Sequence, residues 1–187
     1  MKIKKLSFLI IIPLILLGLI IFFFTQREDI KFQIPFFKPK EIKVKLYFSS
    51  KDANSLVLEE HRIPRLADPL LQAKEVLNEL IKGPESKDLF PTIPEETQVR
   101  AVYLYEDTAY VDFSADLTTK HPGGSCGEIQ TIFSIVNTLT INFPKIKYVQ
   151  ILVEGKEVET IAGHIDTTMP FKQNLSLIYQ HKNKKYQ

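Results

Sequence analysis

The sequence of 187 residues predicts an α+β fold, in which two amphipathic helices pack on one face of a small mixed or antiparallel sheet. It also predicts a transmembrane helix before this domain. Three observations lead to these predictions: residues 6–24 carry no charged side chain, later segments alternate apolar and polar residues, and two segments repeat apolar residues at helical spacing. The order of strand, strand, helix, hairpin, helix, strand, strand favours helices and strands in separate layers.

The uncharged N-terminal stretch is long enough to cross a membrane, because its residues span roughly 28 Å as an α-helix. Three lysines precede it, which favours a cytoplasmic N-terminus and an extracytoplasmic remainder. The stretch is followed neither by a pair of small residues, as at a signal cleavage site, nor by a cysteine that could carry lipid. We expect a single-pass anchor in the cytoplasmic membrane of a bacterium. A cleaved signal peptide or a buried core helix is the alternative.

These features divide the chain into a short cytoplasmic N-terminus, a membrane helix, a linker, one domain and a basic tail. The expected ranges are 1–5, 6–24, 25–40, 41–178 and 179–187. The net charge of +2 gives no sign of a nucleic-acid binder, and the single Cys126 excludes an intrachain disulfide.

In the first half of the domain, the sequence indicates where two strands and the first helix begin and end. Residues 42–48 alternate as a strand, and residues 56–63 can return as a second extended segment. Asp68 can cap the first helix, Pro69 suits its first turn, and Gly83-Pro84 ends it. Its predicted apolar stripe contains Leu70, Ala73, Val76, Leu77, Leu80 and Ile81.

The second half begins with a proline-containing loop at 90–98. Residues 99–105 and 109–114 predict a hairpin, and residues 128–142 predict a helix that ends at Phe143-Pro144. A strand at 148–153, a turn and a short strand at 157–161 follow. The apolar stripe of this helix contains Ile129, Ile132, Phe133, Val136 and Leu139.

Ser125-Cys126-Gly127-Glu128 has two interpretations. Cys126 could be a nucleophile at a helix N-terminus, with His121 or His164 as its base. Ser125 and Glu128 also match a capping box, which requires only these four residues and is the preferred interpretation.

The remaining polar candidates have structural interpretations that are simpler than functional ones. The loop His121-Pro122-Gly123-Gly124 lacks the Gly-Lys-Ser/Thr of a nucleotide-binding loop and predicts a surface turn. His164 and Asp166 would share one face of an extended segment, as a hydrogen-bonded pair or as half of a metal site. No second cluster of His or Cys accompanies this pair, since the other histidines, His61, His121 and His181, lie in unrelated contexts. The aspartates Asp107, Asp112 and Asp116 are interpreted as turn formers and solvated residues.

In this order the segments resemble the GerM-type (GerMN) domain of sporulation and spore-germination proteins and of some envelope lipoproteins. The similarity covers about residues 46–175. It is carried by Leu46-Tyr47-Phe48, Glu60-His61-Arg62-Ile63, Glu79-Leu80-Ile81-Lys82-Gly83-Pro84, Ile93-Pro94, Ala109-Tyr110-Val111-Asp112-Phe113-Ser114, Asn137-Thr138-Leu139-Thr140, Phe143-Pro144, Val149-Gln150-Ile151-Leu152-Val153-Glu154-Gly155, Gly163-His164-Ile165-Asp166 and Pro170-Phe171.

The resemblance implies a non-enzymatic envelope module similar to the ring-building motifs of stacked-ring secretion machinery. One family member supports the channel complex between mother cell and forespore. Family members of that kind are often lipoproteins with two such domains in tandem, whereas this chain has one domain and a membrane helix. The resemblance supplies no catalytic, cofactor-binding or metal-binding residues.

Three functions therefore remain to be compared. The first is an assembly module that binds other envelope or membrane proteins in sporulation or germination. The second is a module that binds peptidoglycan or another envelope ligand, and the third is a Cys/His enzyme. We expect no enzyme and no cofactor. We also expect the isolated domain to be monomeric, because Lys43 and Lys45 on the first strand oppose edge pairing.

Overall fold

The computed structural model describes residues 16–19, 22 and 40–178. The chain divides into two compact units, Met1–Lys38 and Pro39–Gln187. Residues 16–19 and 22 are helical, whereas the rest of the predicted membrane helix, most of the linker and the basic tail lie outside the described residues. Within the described ranges, no helix combines the length and the apolar character needed to cross a bilayer.

Residues 40–178 of the second unit contain two sheets, and this corrects the prediction of one. In the first sheet, β1 (Glu41–Ser50) lies between β2 (Leu56–Pro64) and β3 (Leu89–Phe90), and both pairs are antiparallel. The second sheet has the order β4-β5-β6-β7, and β8 pairs with β6. Its strands are β4 (Val99–Tyr105), β5 (Thr108–Phe113), β6 (Tyr148–Val153), β7 (Lys156–Glu157) and β8 (Phe171–Lys172).

The second sheet is mixed because β5 and β6 are parallel. A parallel pair needs a crossover connection, which here contains the short α2 (Asp116–Thr119) and the long α3 (Ser125–Asn142). The α+β class and the mixed pairing are confirmed. The expected strand at 157–161 is reduced to β7. The residues after β7 form a loop, which is held by hydrogen bonds from the amides of Ile161, Ala162 and His164 to the side chain of Glu128.

Helix α1 (Pro69–Lys82) forms as the sequence predicts. The Asp68 carboxylate accepts hydrogen bonds from the amides of Leu70 and Leu71, and Pro69 occupies the first turn. Gly83 ends the helix at a φ of 91°, a conformation in which a side chain would be strained. Apart from Leu70, which packs at the margin of the core, the predicted stripe is buried.

Helix α3 is buried over more of its circumference than one stripe. It starts at Ser125 rather than 128, and it contacts β1 of the first sheet as well as β6 of the second. Helix α1 likewise contacts β1 and β4, so the two helices pack against both sheets rather than on one face of one sheet. Burial of Ile135 together with the polar Thr131, Ser134, Asn137 and Thr138 follows from this position.

Polar side chains of α3 cover an edge of β1. Asn142 accepts a bond from the amide of Lys45 at 3.0 Å and donates one to the Lys45 carbonyl at 2.7 Å. Thr138 Oγ1 accepts a bond from the amide of Tyr47. The argument that Lys43 and Lys45 oppose edge pairing of β1 is therefore wrong, because β1 is central in its sheet and α3 bonds to the part of its backbone that β3 does not pair. The monomeric state of the isolated domain stays a prediction.

Candidate functional site

A groove of about 550 Å³ lies between the loop that follows α1 and the segment that begins α3. Residues 81–95 form one wall, with prolines and mixed charges, and residues 121–131 contribute the other. Two hydrogen-bonded clusters hold these walls in place, and each is centred on a buried or half-buried histidine.

The first cluster is centred on His61, which is 2% exposed on β2. Its Nε2 lies 2.8 Å from Glu59 Oε2, and its Nδ1 lies 3.0 Å from Glu79 Oε1 on α1. Lys82 reaches the other oxygen of Glu79 at 2.7 Å. The carboxylate of Glu59 also accepts bonds from the amides of Glu85 and Ser86, in the groove wall.

The electrostatics of this cluster favour a charged imidazolium. Burial alone lowers the pKa of His61, but the bonds to Glu79 and Glu59 outweigh it and raise that pKa above its ordinary value. Burial alone raises the pKa values of Glu59 and Glu79, yet their hydrogen bonds hold both below the ordinary value. The sequence interpretation of His61 missed this cluster because Glu79 is eighteen positions away.

The second cluster is centred on His121. Its Nδ1 accepts a bond from the amide of Gly123, so Nε2 carries the hydrogen and donates to Thr131 Oγ1 at 2.9 Å. Thr131 in turn donates to the carbonyl of Thr92, in the opposite wall. Burial lowers the pKa of His121 despite the nearby Glu128, which agrees with a neutral ring.

Glu128 is fully buried and does not form the predicted capping box. The first residue before α3 is Gly124, and neither Ser125 nor Glu128 caps the helix. The Glu128 carboxylate instead accepts bonds of 2.8–2.9 Å from the amides of Ile161, Ala162 and His164. Burial alone raises the pKa of Glu128, but these backbone bonds outweigh it and hold that pKa below its ordinary value.

The proposed catalytic groups are not assembled around Cys126. Cys126 is exposed, and both ring nitrogens of His121 are occupied by Thr131 and Gly123. His164 Nδ1 lies 3.3 Å from Glu128, so the predicted pair with Asp166 is also wrong. Asp166 instead accepts bonds from the amide and hydroxyl of Thr168.

The aspartates and the last histidine have separate outcomes. Asp112 is buried, with Oδ1 accepting from the amide of Gly155 at 2.7 Å and Oδ2 3.5 Å from Arg100, so its interpretation as a solvated residue is wrong. Asp116 accepts a bond from the Ser114 hydroxyl, and Asp107 lies in the β4–β5 turn. His181 lies outside the described residues.

Among residues 16–19, 22 and 40–178, no group of three or more His, Cys, Asp or Glu side chains is placed to hold a metal.

The outer face of the second sheet carries a cluster of tyrosines that the sequence analysis did not identify. The strand registers place Tyr103 opposite Tyr110, and one row further they align Tyr105 with Thr108 and Tyr148. Tyr103, Tyr105 and Tyr148 are 58%, 67% and 38% exposed. We call Tyr103, Tyr105, Tyr110 and Tyr148 the tyrosine face. Alternation on β4 and β5 was visible in the sequence, but the parallel partner of β5 was not.

Comparison with known proteins gives a family match and similar solved structures. The family described as "Germane: Sporulation and spore germination" matches residues 45–159. A solved structure of a predicted lipoprotein from Clostridium perfringens is 26% identical, with a TM-score of 0.53, and the match covers 74% of this chain and 93% of that one. No curated protein sequence matches.

Two structures of the sporulation protein GerM from Bacillus subtilis share the fold. Its tandem GerMN domains are 22% identical with a TM-score of 0.56, covering 73% of this chain and 46% of that one. Its first GerMN domain is 20% identical with a TM-score of 0.54, covering 72% and 98%. The match therefore spans less than half of the tandem structure and nearly all of the single domain.

Proposed function

The chain belongs to the Germane family, and from this premise we propose that it is a membrane-anchored, extracytoplasmic interaction module of a sporulation or germination assembly. The tyrosine face carries the proposal, because exposed tyrosines are enriched at the centres of protein interfaces and supply large contact area. The partner is another envelope or membrane protein.

The bonding of the polar groups supports a role without catalysis. Glu128, His121 and Asp112 are each engaged by backbone groups or neighbouring side chains that fix the fold. A general base must reach the proton it removes, and the ring nitrogens of His121 already have other partners.

The proposed location outside the cytoplasm is supported by the apolar N-terminal segment and by the similarity to a predicted lipoprotein from Clostridium perfringens. Residues 6–24 would anchor this chain, and the domain at 41–178 would follow the linker. Fusing C-terminal reporters that are active only inside or only outside the cytoplasm tests this topology. Activity of the cytoplasmic reporter alone would contradict it.

The interaction itself is tested by affinity capture with the unit Pro39–Gln187, whose hydrophobic core is built from residues between 44 and 161. The bait is compared with a Tyr103→Ser/Tyr105→Ser variant and with Leu71→Ser, an exposed control on α1. We expect loss of specific envelope proteins only from the tyrosine variant. Equal retention by all three baits would contradict the assigned surface.

An envelope glycan is the second candidate, since exposed tyrosine rings also offer flat surfaces to sugar rings. Sedimentation of the same three proteins with purified peptidoglycan separates the two functions. Depletion of the unaltered domain from the supernatant, but not of the tyrosine variant, would favour the glycan.

The domain alone should be a monomer by light scattering at micromolar concentration.

A further inference from the structure

We infer that Glu59, His61 and Glu79 form a pH-sensitive latch, which ties the groove loop at residues 83–86 to β2 and loosens when His61 loses its proton. The inference concerns regulation of the groove wall and does not depend on the partner proposed above. Its basis is the geometry of the cluster, in which one imidazole bridges two carboxylates on different elements.

Both ring nitrogens of His61 face carboxylate oxygens, at 2.8 and 3.0 Å. A neutral imidazole has only one N–H donor, so it can bond to one of these carboxylates while its other nitrogen presents a lone pair to the second. The pKa values of Glu59 and Glu79 are lowered, and with both carboxylates ionised the two short contacts are both hydrogen bonds only when the ring is an imidazolium. Loss of the proton replaces one hydrogen bond by a repulsive contact at a site where His61 is 2% exposed.

Each carboxylate leads to the same loop by a different route. Glu59 holds the loop directly, through bonds of 3.0 and 2.9 Å from the amides of Glu85 and Ser86. Glu79 lies in the last turn of α1, which continues into the loop through Gly83. Displacement of either carboxylate therefore loosens the connection between β2 and the groove wall.

The neighbours of His61 define how the cluster responds to pH. Glu59 faces it from β2 and Glu79 from α1, while Lys82 neutralises part of the charge of Glu79 and interacts with the nearby Glu75. On the β1 side, the ring of Phe48 lies 5.6 Å from the imidazole. Since the bonds to Glu79 and Glu59 raise the pKa of His61, the latch is closed while His61 is protonated and both carboxylates are ionised, and it opens as pH rises through that raised pKa.

The test is an NMR titration of the ¹⁵N-labelled full-length chain in detergent micelles between about pH 5.5 and 9.5, a window that contains the ordinary histidine pKa and values above it. The His61 ring and the amides of Glu85 and Ser86 should titrate with one midpoint. Above it, hydrogen exchange at these two amides, corrected for its intrinsic pH dependence, should accelerate about tenfold or more. The amides of Leu70 and Leu71, held by Asp68, should keep their protection.

Two substitutions strengthen the test. Glu79→Gln removes one charge that favours the imidazolium, so it should lower the midpoint, whereas Glu95→Gln in the exposed part of the groove wall should not. Titration of His61 without a response at Glu85 and Ser86 would overturn the inference. So would a His61 ring that stays protonated throughout the range.

Discussion

Removing the buried carboxylate of Glu128 should destabilise the domain strongly. Three backbone amides, of Ile161, Ala162 and His164, donate to this one side chain, which is 0% exposed. A hydrogen bond to a charged group contributes about 1.5–3 kcal/mol, but water can reach the partly exposed amides of Ala162 and His164 after the loss. We therefore expect Glu128→Ala to cost about 3–5 kcal/mol of unfolding free energy.

Glu128→Gln is the finer perturbation. Its amide oxygen can replace Oε1, which accepts from Ile161 and Ala162, but its NH₂ group would then face the amide of His164, itself a donor. The expected cost is about 1.5–3 kcal/mol. Urea unfolding of the unit Pro39–Gln187, followed by circular dichroism, measures both values. Glu96→Ala, an exposed control, should remain within about 0.5 kcal/mol of the unaltered protein.

The effect of Glu128 should also depend on pH in a defined direction. Because its pKa is lowered in the folded state, its contribution is present above the pKa of the unfolded chain and is lost as pH falls through the folded pKa. The difference in unfolding free energy between the unaltered protein and Glu128→Gln should therefore become smaller at acidic pH. A cost below about 0.5 kcal/mol for Glu128→Ala at neutral pH would refute the reasoning.

Four further substitutions test the local assignments by the same unfolding assay. Asp68→Ala should cost about 0.5–2 kcal/mol of unfolding free energy because it removes an observed cap. Ser125→Ala should cost less because Ser125 makes no capping bond. The reverse order would support the capping box that the sequence predicts. Cys126→Ser should change stability by less than about 0.5 kcal/mol, since Cys126 is exposed, and a larger loss would show a structural role. Asn142→Ala should cost about 1–3 kcal/mol by freeing the amide and carbonyl of Lys45, and a neutral result would mean that α3 does not stabilise the β1 edge.

Local signals in the sequence predicted the elements well. Asp68, Pro69 and Gly83 fix the ends of α1 through bonds and dihedral preferences that involve adjacent residues only. The β4–β5 hairpin follows from alternation on both sides of a short polar turn. These features depend on residues close together in the chain, so their chemistry is readable without the fold.

The clusters were not predictable because their partners are distant in sequence. Glu128 bonds to amides more than thirty positions away, and the bonds of Glu59 to Glu85 and Ser86 span more than twenty. The Ser125–Glu128 spacing satisfies the local pattern of a cap, but tertiary bonds from the 161–164 loop satisfy the carboxylate instead. The division into two sheets was hidden for the same reason, since strand order does not specify which strands pair.

The central claim is that the tyrosine face contacts another envelope protein, and site-specific photo-crosslinking in intact cells tests it most directly. A photoreactive amino acid is placed at Tyr105, which is 67% exposed, or at the control position Leu71, which is 57% exposed on α1. We predict a discrete protein adduct from position 105 that is absent from position 71. The absence of an adduct at position 105, or the same adducts from both positions, would contradict the claim.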